Sequence, residues 1–192
     1  MRKTLAVCAG LTAAFLIAIP AIARAQGGGG LTLKGGLSYG NVSNGGVFPG
    51  PNKERTGAAL GLGIQSGGGL GFGVEGLYAQ RGITARKLDY IDVPAYLKIE
   101  FGNSGIAPFG YLGPQVSFEL KCNDDAGATC PSGRPKVTYA GVAGAGIRLN
   151  ALHGLSIEGR YIYGLTDLQL NTVTTTDSYK TRSFLVLFGI GM

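Results

Sequence analysis

From about residue 30 onward the chain advances in steps of two, and one of the two steps is very often glycine. Residues 59–79 read ALGLGIQSGGGLGFGVEGLYA. Leu60, Leu62 and Ile64 alternate with Ala59, Gly61, Gly63 and Gln65, and after Gly67-Gly68-Gly69 the stride resumes. There Leu70, Phe72, Val74 and Tyr78 stand against Gly71, Gly73, Glu75 and Ala79. Side chains of a strand point alternately to its two faces, so each strand has one bulky apolar face and one small or polar face. A chain built throughout on that pattern predicts a β-barrel whose outside is more apolar than its inside.

The first residues obey a different rule. Arg2 and Lys3 precede an apolar run from Leu5 to Ile19, Pro20 breaks it, and Ala23-Arg24-Ala25 places small residues before Gln26. This is the pattern of a secretory signal peptide spanning residues 1–25, cleaved after Ala25. The alternative, a retained anchor, is opposed by the short apolar core and the good cleavage site. Of the 192 residues, 167 would remain as one domain, residues 26–192. The formal charge of +6 would drop to +3 with the loss of Arg2, Lys3 and Arg24. No run of Lys or Arg and no recognition helix remain, so nothing points to nucleic acid.

Cys8 leaves with the signal. Cys122 and Cys130 stay, separated by the turn-like stretch NDDAGAT. In an exported chain such a pair predicts a disulfide. Zinc is the weaker reading, because two cysteines make half a site and the single histidine, His153, falls in a different turn.

Eight strands are predicted, near 31–41, 56–66, 70–81, 89–101, 107–120, 136–149, 154–167 and 181–192. Each has about the 9–11 residues that a tilted membrane-crossing strand needs, and no stretch after residue 25 has the ~20 apolar residues of a spanning helix. The connections alternate. Long ones at 42–55, 121–135 and 168–179, and a medium one at 82–88 holding Arg86 and Lys87, are separated by short ones at 67–69, 102–106 and 150–153. Outer-membrane barrels have short periplasmic turns and long outer loops, whereas a soluble barrel has no reason for that alternation. The expectation is an all-β, eight-stranded antiparallel up-and-down transmembrane barrel with both termini on the periplasmic side.

Parity then sorts the faces. Leu31, Leu33, Leu37 and Tyr39 point outward, with Thr32, Lys34, Gly36 and Ser38 inward. Ile91, Val93, Ala95, Leu97, Ile99 and Phe101 oppose Asp92, Pro94, Tyr96, Lys98 and Glu100. The inward charges predicted along the whole chain are Lys34, Lys98, Arg148 and Arg160 against Glu75, Asp92, Glu100, Glu119 and Glu158. Glu119 can face in only if Phe109 and Tyr111 do too. Near-balance of sign suits a filled polar interior, since unpaired buried charge is costly. Eight strands enclose only enough room for side chains, so the lumen is expected to be plugged, with the glycines making space for the long charged residues. Tyr39, Tyr78, Tyr90, Phe101, Phe109, Tyr161, Tyr163 and Phe184 are candidates for aromatic girdles at the lipid interfaces. Pro94 lacks the N–H its strand wants and predicts a bulge.

The fourth strand, Leu88-Asp89-Tyr90-Ile91-Asp92-Val93-Pro94-Ala95-Tyr96-Leu97-Lys98-Ile99, resembles the aromatic, apolar, acid, apolar, Pro strand of the PorT-like outer-membrane β-barrel family. The preceding EGLYAQRG, residues 75–82, resembles that family's third strand. The resemblance implies a small bacterial outer-membrane barrel without assigned activity.

Catalysis on such a barrel would need Asp and His, or His with Ser and an acid, converging at the outer rim. His153 is placed in a periplasmic turn instead. Asn123-Asp124-Asp125 reads as a solvated turn, and the glycine-rich run around 61–73 lacks the Lys-Ser/Thr and the helix of a phosphate loop. The reading is therefore a non-catalytic barrel with a structural or surface-loop role and no cofactor or metal. Its partners would be outer-membrane lipid, the barrel assembly machinery and a surface ligand met by the outer loops. The alternatives are a soluble, exported, lipocalin-like barrel holding a small apolar ligand, and a narrow pore.

Overall fold

The computed structural model describes residues 30–43, 55–66, 68–83, 86–102, 105–124, 135–150, 154–166 and 180–191. The signal segment, Cys130 and His153 lie outside the described residues.

Eight strands follow one another: β1 Gly30–Ser43, β2 Arg55–Gln65, β3 Leu70–Ile83, β4 Arg86–Glu100, β5 Ile106–Asp124, β6 Val137–Leu149, β7 Leu155–Gly164 and β8 Lys180–Gly191. Each pairs antiparallel with the next, and β8 returns to β1 through a ladder from Thr32 opposite Gly191 to Ser43 opposite Lys180. Closure leaves no sheet edge unpaired, which is the condition for strands to cross lipid.

The connections explain why the hairpins turn where they do. Between β2 and β3, β4 and β5, and β6 and β7 only a few residues intervene, and Gly68, Gly102, Gly105 and Gly154 there adopt positive φ. A side chain would be strained in that backbone region. Both described ends of the chain lie at the same rim as these turns, opposite the rim where the loops 44–54, 125–136 and 165–179 leave the barrel.

Two local expectations change. The connection predicted at 82–88 shrinks to residues 84–85, because β3 runs to Ile83 and β4 already begins at Arg86. Cross-strand pairing from Gln80 opposite Asp89 to Ile83 opposite Arg86 extends the hairpin to its tip. Pro94 interrupts pairing without shifting it: β3 and β4 pair at Val74–Ala95 and again at Leu77–Asp92 in one register. The register shift falls instead between Asp89 and Tyr90, which oppose Lys121 and Glu119, so β5 carries an extra residue at Leu120. That bulge keeps Glu119 on the inner face and brings Cys122 inward as well, opposite Leu88.

Burial follows the two-residue stride. Leu33, Leu62, Phe72, Leu97, Leu112, Tyr139, Ile157 and Phe188 are exposed on the outer wall, while Lys34, Glu75, Asp92, Lys98, Glu158 and Arg160 are buried within. The core of this molecule is thus its lumen. It also holds an apolar share that the predicted polar interior lacked: Leu77, Val142, Ile162, Leu185 and Leu187 are buried and face inward.

Candidate functional site

The centre of the lumen is a cluster of six side chains from five strands. Lys34 of β1 lies 2.6 Å from Glu75 Oε1 and 2.8 Å from Glu158 Oε2. Arg160 Nη2 lies 2.5 Å from Glu75 Oε2 and 2.8 Å from Glu158 Oε1. Tyr96 donates to Glu75 Oε1 at 2.5 Å, and Tyr111 donates to Glu158 Oε1 at 2.8 Å. Arg160 Nε in turn donates to the Tyr111 hydroxyl at 2.7 Å. The two tyrosine rings pack with centroids 4.5 Å apart. Two cations face two carboxylates, so the cluster is neutral, and each carboxylate is held by Lys34, Arg160 and a tyrosine. Buried ion pairs persist when most of their hydrogen-bonding capacity is met in this way; Arg160 Nη1 is the one buried polar atom of the cluster left without a partner.

Glycine makes the cluster geometrically feasible. Lys34 on β1 and Glu75 on β3 are separated by β2, and their register partners on β2 are Gly61 and Gly63. A Cβ at Gly63 would meet Glu75 Cγ at 2.5 Å. Tyr111 on β5 and Arg160 on β7 both pair with Gly144 of β6, and a Cβ there would strike the Tyr111 ring. Lys34 on β1 and Ser156 on β7 both pair with Gly189 of β8. Long side chains from β1, β3, β5 and β7 therefore meet over bare backbone on β2, β6 and β8. On β3, Gly73 likewise makes room for the Tyr96 ring of β4.

Two smaller clusters flank the centre. Toward the short turns, Glu100 takes Lys98 at 2.9 Å and also Arg148, while Lys98 donates to Gln65 Oε1 at 3.2 Å and sits 4.8 Å from the Phe109 ring centre. Toward the long loops, Arg81 pairs with Asp92 and lies over the Tyr90 ring at 5.4 Å. Of the sequence candidates, Lys34, Glu75, Glu158 and Arg160 thus meet in the centre, and Lys98, Glu100 and Arg148 meet below it. Asp92 pairs above it. Glu119 stands half-buried on the lumen face opposite Tyr90, eight residues beyond Tyr111 on β5. Cys122 is buried at the far end of β5.

Sequence reasoning missed Arg81, Tyr96 and Tyr111 as members of the network. Arg81 has the parity of Glu75, and that signal was available. Parity placed Tyr96 inward, and Tyr111 inward if Glu119 faces in, but neither was read as a partner of the charges. Tyr90 and Phe109 leave the predicted girdle, being buried in the lumen. Tyr39, Phe184 and Tyr161 remain outside and form a row across β1, β8 and β7 through the pairs Tyr39–Phe184 and Tyr161–Phe184. Among the described residues no group of three His, Cys, Asp or Glu side chains is placed to hold a metal ion.

A closed eight-stranded barrel with an apolar outer wall and an ion-paired interior is the architecture of a small outer-membrane protein. The chain belongs to the outer membrane protein beta-barrel domain family, whose model matches residues 9–190. It resides in the bacterial outer membrane. No curated protein matches it significantly. Among solved structures it is similar to the outer membrane enzyme PagL, at 14% identity and TM-score 0.52 over 84% of this chain and 99% of that one. It is also similar to Neisserial surface protein A, at 13% identity and TM-score 0.51 over 86% and 99% of the two chains. The Yersinia pestis attachment invasion locus protein Ail aligns at 17% identity and TM-score 0.48 over 84% and 97%. Likeness at this level of identity concerns the fold.

Proposed function

We propose that this protein is a sealed, non-catalytic barrel that serves as a scaffold for its outer loops. The observation that carries the reading is that every side chain of the central cluster comes from a strand. The fold then needs nothing from the loops, which are free to engage a ligand at the cell surface. The neutral cluster supports a closed lumen, because an ion would have to displace matched charges to pass. The exposed apolar wall favours a lipid-embedded barrel over a soluble lipocalin-like one. PagL is described as an enzyme, but the similarity reaches the fold alone, and this chain's single histidine, His153, falls between β6 and β7 in the sequence.

Within this reading, residues 1–25 are a cleaved signal, Cys122 and Cys130 form a disulfide closing the loop after β5, and β4 carries a PorT-like affinity. Outer-membrane lipid and the assembly machinery are the constitutive partners. Exchange of loops 44–54, 125–134 and 167–179 for short Asn-Gly turns tests the scaffold role. The shortened chain is expected to reach the outer membrane and to keep the heat-dependent gel mobility of a folded barrel. Failure of the shortened chain to fold would show that the loops belong to the core and would overturn the reading.

A further inference from the structure

The outer wall is charged at one rim only. Among described side chains, the charged groups not directed into the lumen are Lys87, Asp89, Lys121, Lys136, Lys180 and Arg182. All stand at the rim where the long loops leave. At the opposite rim the outward positions are Leu31, Leu70, Ile99, Ile106, Leu155 and Ile190, and no described charge joins them. A barrel with cations at both ends would be expected if these residues served solubility alone. The asymmetry needs a cause confined to one leaflet.

The cations are also grouped and have apolar surface beneath them. Lys121 and Lys87 lie on neighbouring strands, opposite Asp89 and Asn123 respectively. Lys136 directly precedes β6, and its carbonyl accepts from the Glu119 amide at 2.8 Å. Lys87, Lys121 and Lys136 are exposed and make no ion pair with a described residue. Directly below them the wall carries Phe118, Leu120, Val137 and Tyr139, all exposed, with Phe118 opposite Val137. Among the described side chains of this face, three cations stand against one acid, Asp89, over an apolar slope, which complements a lipid with an anionic head and several tails. On the other side Arg182 lies 5.6 Å from the Tyr163 ring, with Lys180 one step nearer the rim.

We propose that the β4–β5–β6 face of the loop rim binds a phosphate-bearing lipid of the outward leaflet. Its phosphates sit among Lys87, Lys121 and Lys136, and its acyl chains lie on Phe118, Leu120 and Tyr139. This inference uses the orientation of the barrel with loops outward and is independent of whether the lumen is sealed. Basic residues at a membrane surface attract anionic headgroups, and the attraction weakens with salt.

The test is native mass spectrometry of the detergent-purified full chain, titrated with a bisphosphorylated lipid A and with the same lipid dephosphorylated. The wild type should retain the phosphorylated lipid, and its retention should fall with rising salt. The dephosphorylated lipid should bind about tenfold more weakly or less, and K87Q/K121Q/K136Q should lose the preference. These changes are on exposed side chains, and unchanged heat-dependent mobility of the variant would show that its fold is intact. Equal retention of both lipids, or undiminished phosphate preference in the triple variant, would overturn the proposal. So would displacement of the lipid by inorganic phosphate at matched concentration, which would assign the site to the free ion.

Discussion

Arg160 is the residue on which the interior turns. It reaches Glu75 from β3, Glu158 on its own strand and the Tyr111 hydroxyl, all from a fully buried position. Removing one partner of such a group leaves a buried charge uncompensated, which costs about 3–5 kcal/mol, whereas removing both together costs less than the sum. A double-mutant cycle of Glu75→Gln and Arg160→Met is therefore expected to show coupling of about 1–3 kcal/mol. The chain has no tryptophan, so the folded fraction after urea treatment is best read from gel mobility. Strict additivity of the two substitutions would remove Arg160 from its central place. At this scale the sequence was informative about direction and silent about partnership. Parity placed Lys34, Glu75, Glu158 and Arg160 inward. It could not say that these four, and not Lys98 or Asp92, would share a level, because that depends on how far each strand is staggered around the barrel. The network tyrosines were visible only as inward positions, because parity does not say which hydroxyl meets which carboxylate.

At the level of elements, the glycines divide into two populations with opposite consequences. Gly144 faces inward between Tyr111 and Arg160, whereas Gly76 faces outward and has open space around its Cα. Gly144→Ala is expected to destabilise the barrel by about 1–3 kcal/mol through overpacking against the Tyr111 ring. Gly76→Ala should be neutral or slightly stabilising, because a strand interior gains from losing glycine's backbone freedom. Comparison of the two variants' urea midpoints in lipid vesicles checks the contrast, and equal midpoints would contradict it. The strand ends at the short turns were legible almost to the residue, since those turns announce themselves as Gly67-Gly68-Gly69 or Gly102-Asn103-Ser104-Gly105, whereas at the loop rim β5 runs four residues further and β7 stops three residues earlier than predicted. The hairpin between β3 and β4 was not legible. Its Arg86 and Lys87 looked like loop residues, yet they continue the β4 ladder beyond the apolar stride. The bulge was assigned to Pro94 from its missing N–H, but the structure tolerates that gap in register and places the extra residue at Leu120.

Seen whole, the molecule is a lipid-facing wall closed around a neutral plug, with every layer of the plug spanning several strands. Lys98, Glu100 and Arg148 close the end near the short turns, the six-membered cluster closes the middle, and Arg81 with Asp92 closes the loop end. An ion crossing the proposed sealed lumen would have to displace an ion pair at each of three levels, of which the one nearest the short turns sets two cations against one carboxylate. Membrane placement followed from the alternation of short turns and long loops, and the common rim of the two described chain ends followed from the even strand count. The apolar part of the lumen was less visible, because Leu77, Leu185 and Leu187 are inward residues of the same kind as the lipid-facing ones and only neighbouring strands decide what they meet. The most direct test of the sealed barrel is single-channel recording of the wild type in planar bilayers. The account predicts no discrete conductance steps. Reproducible steps from the folded wild type would contradict it.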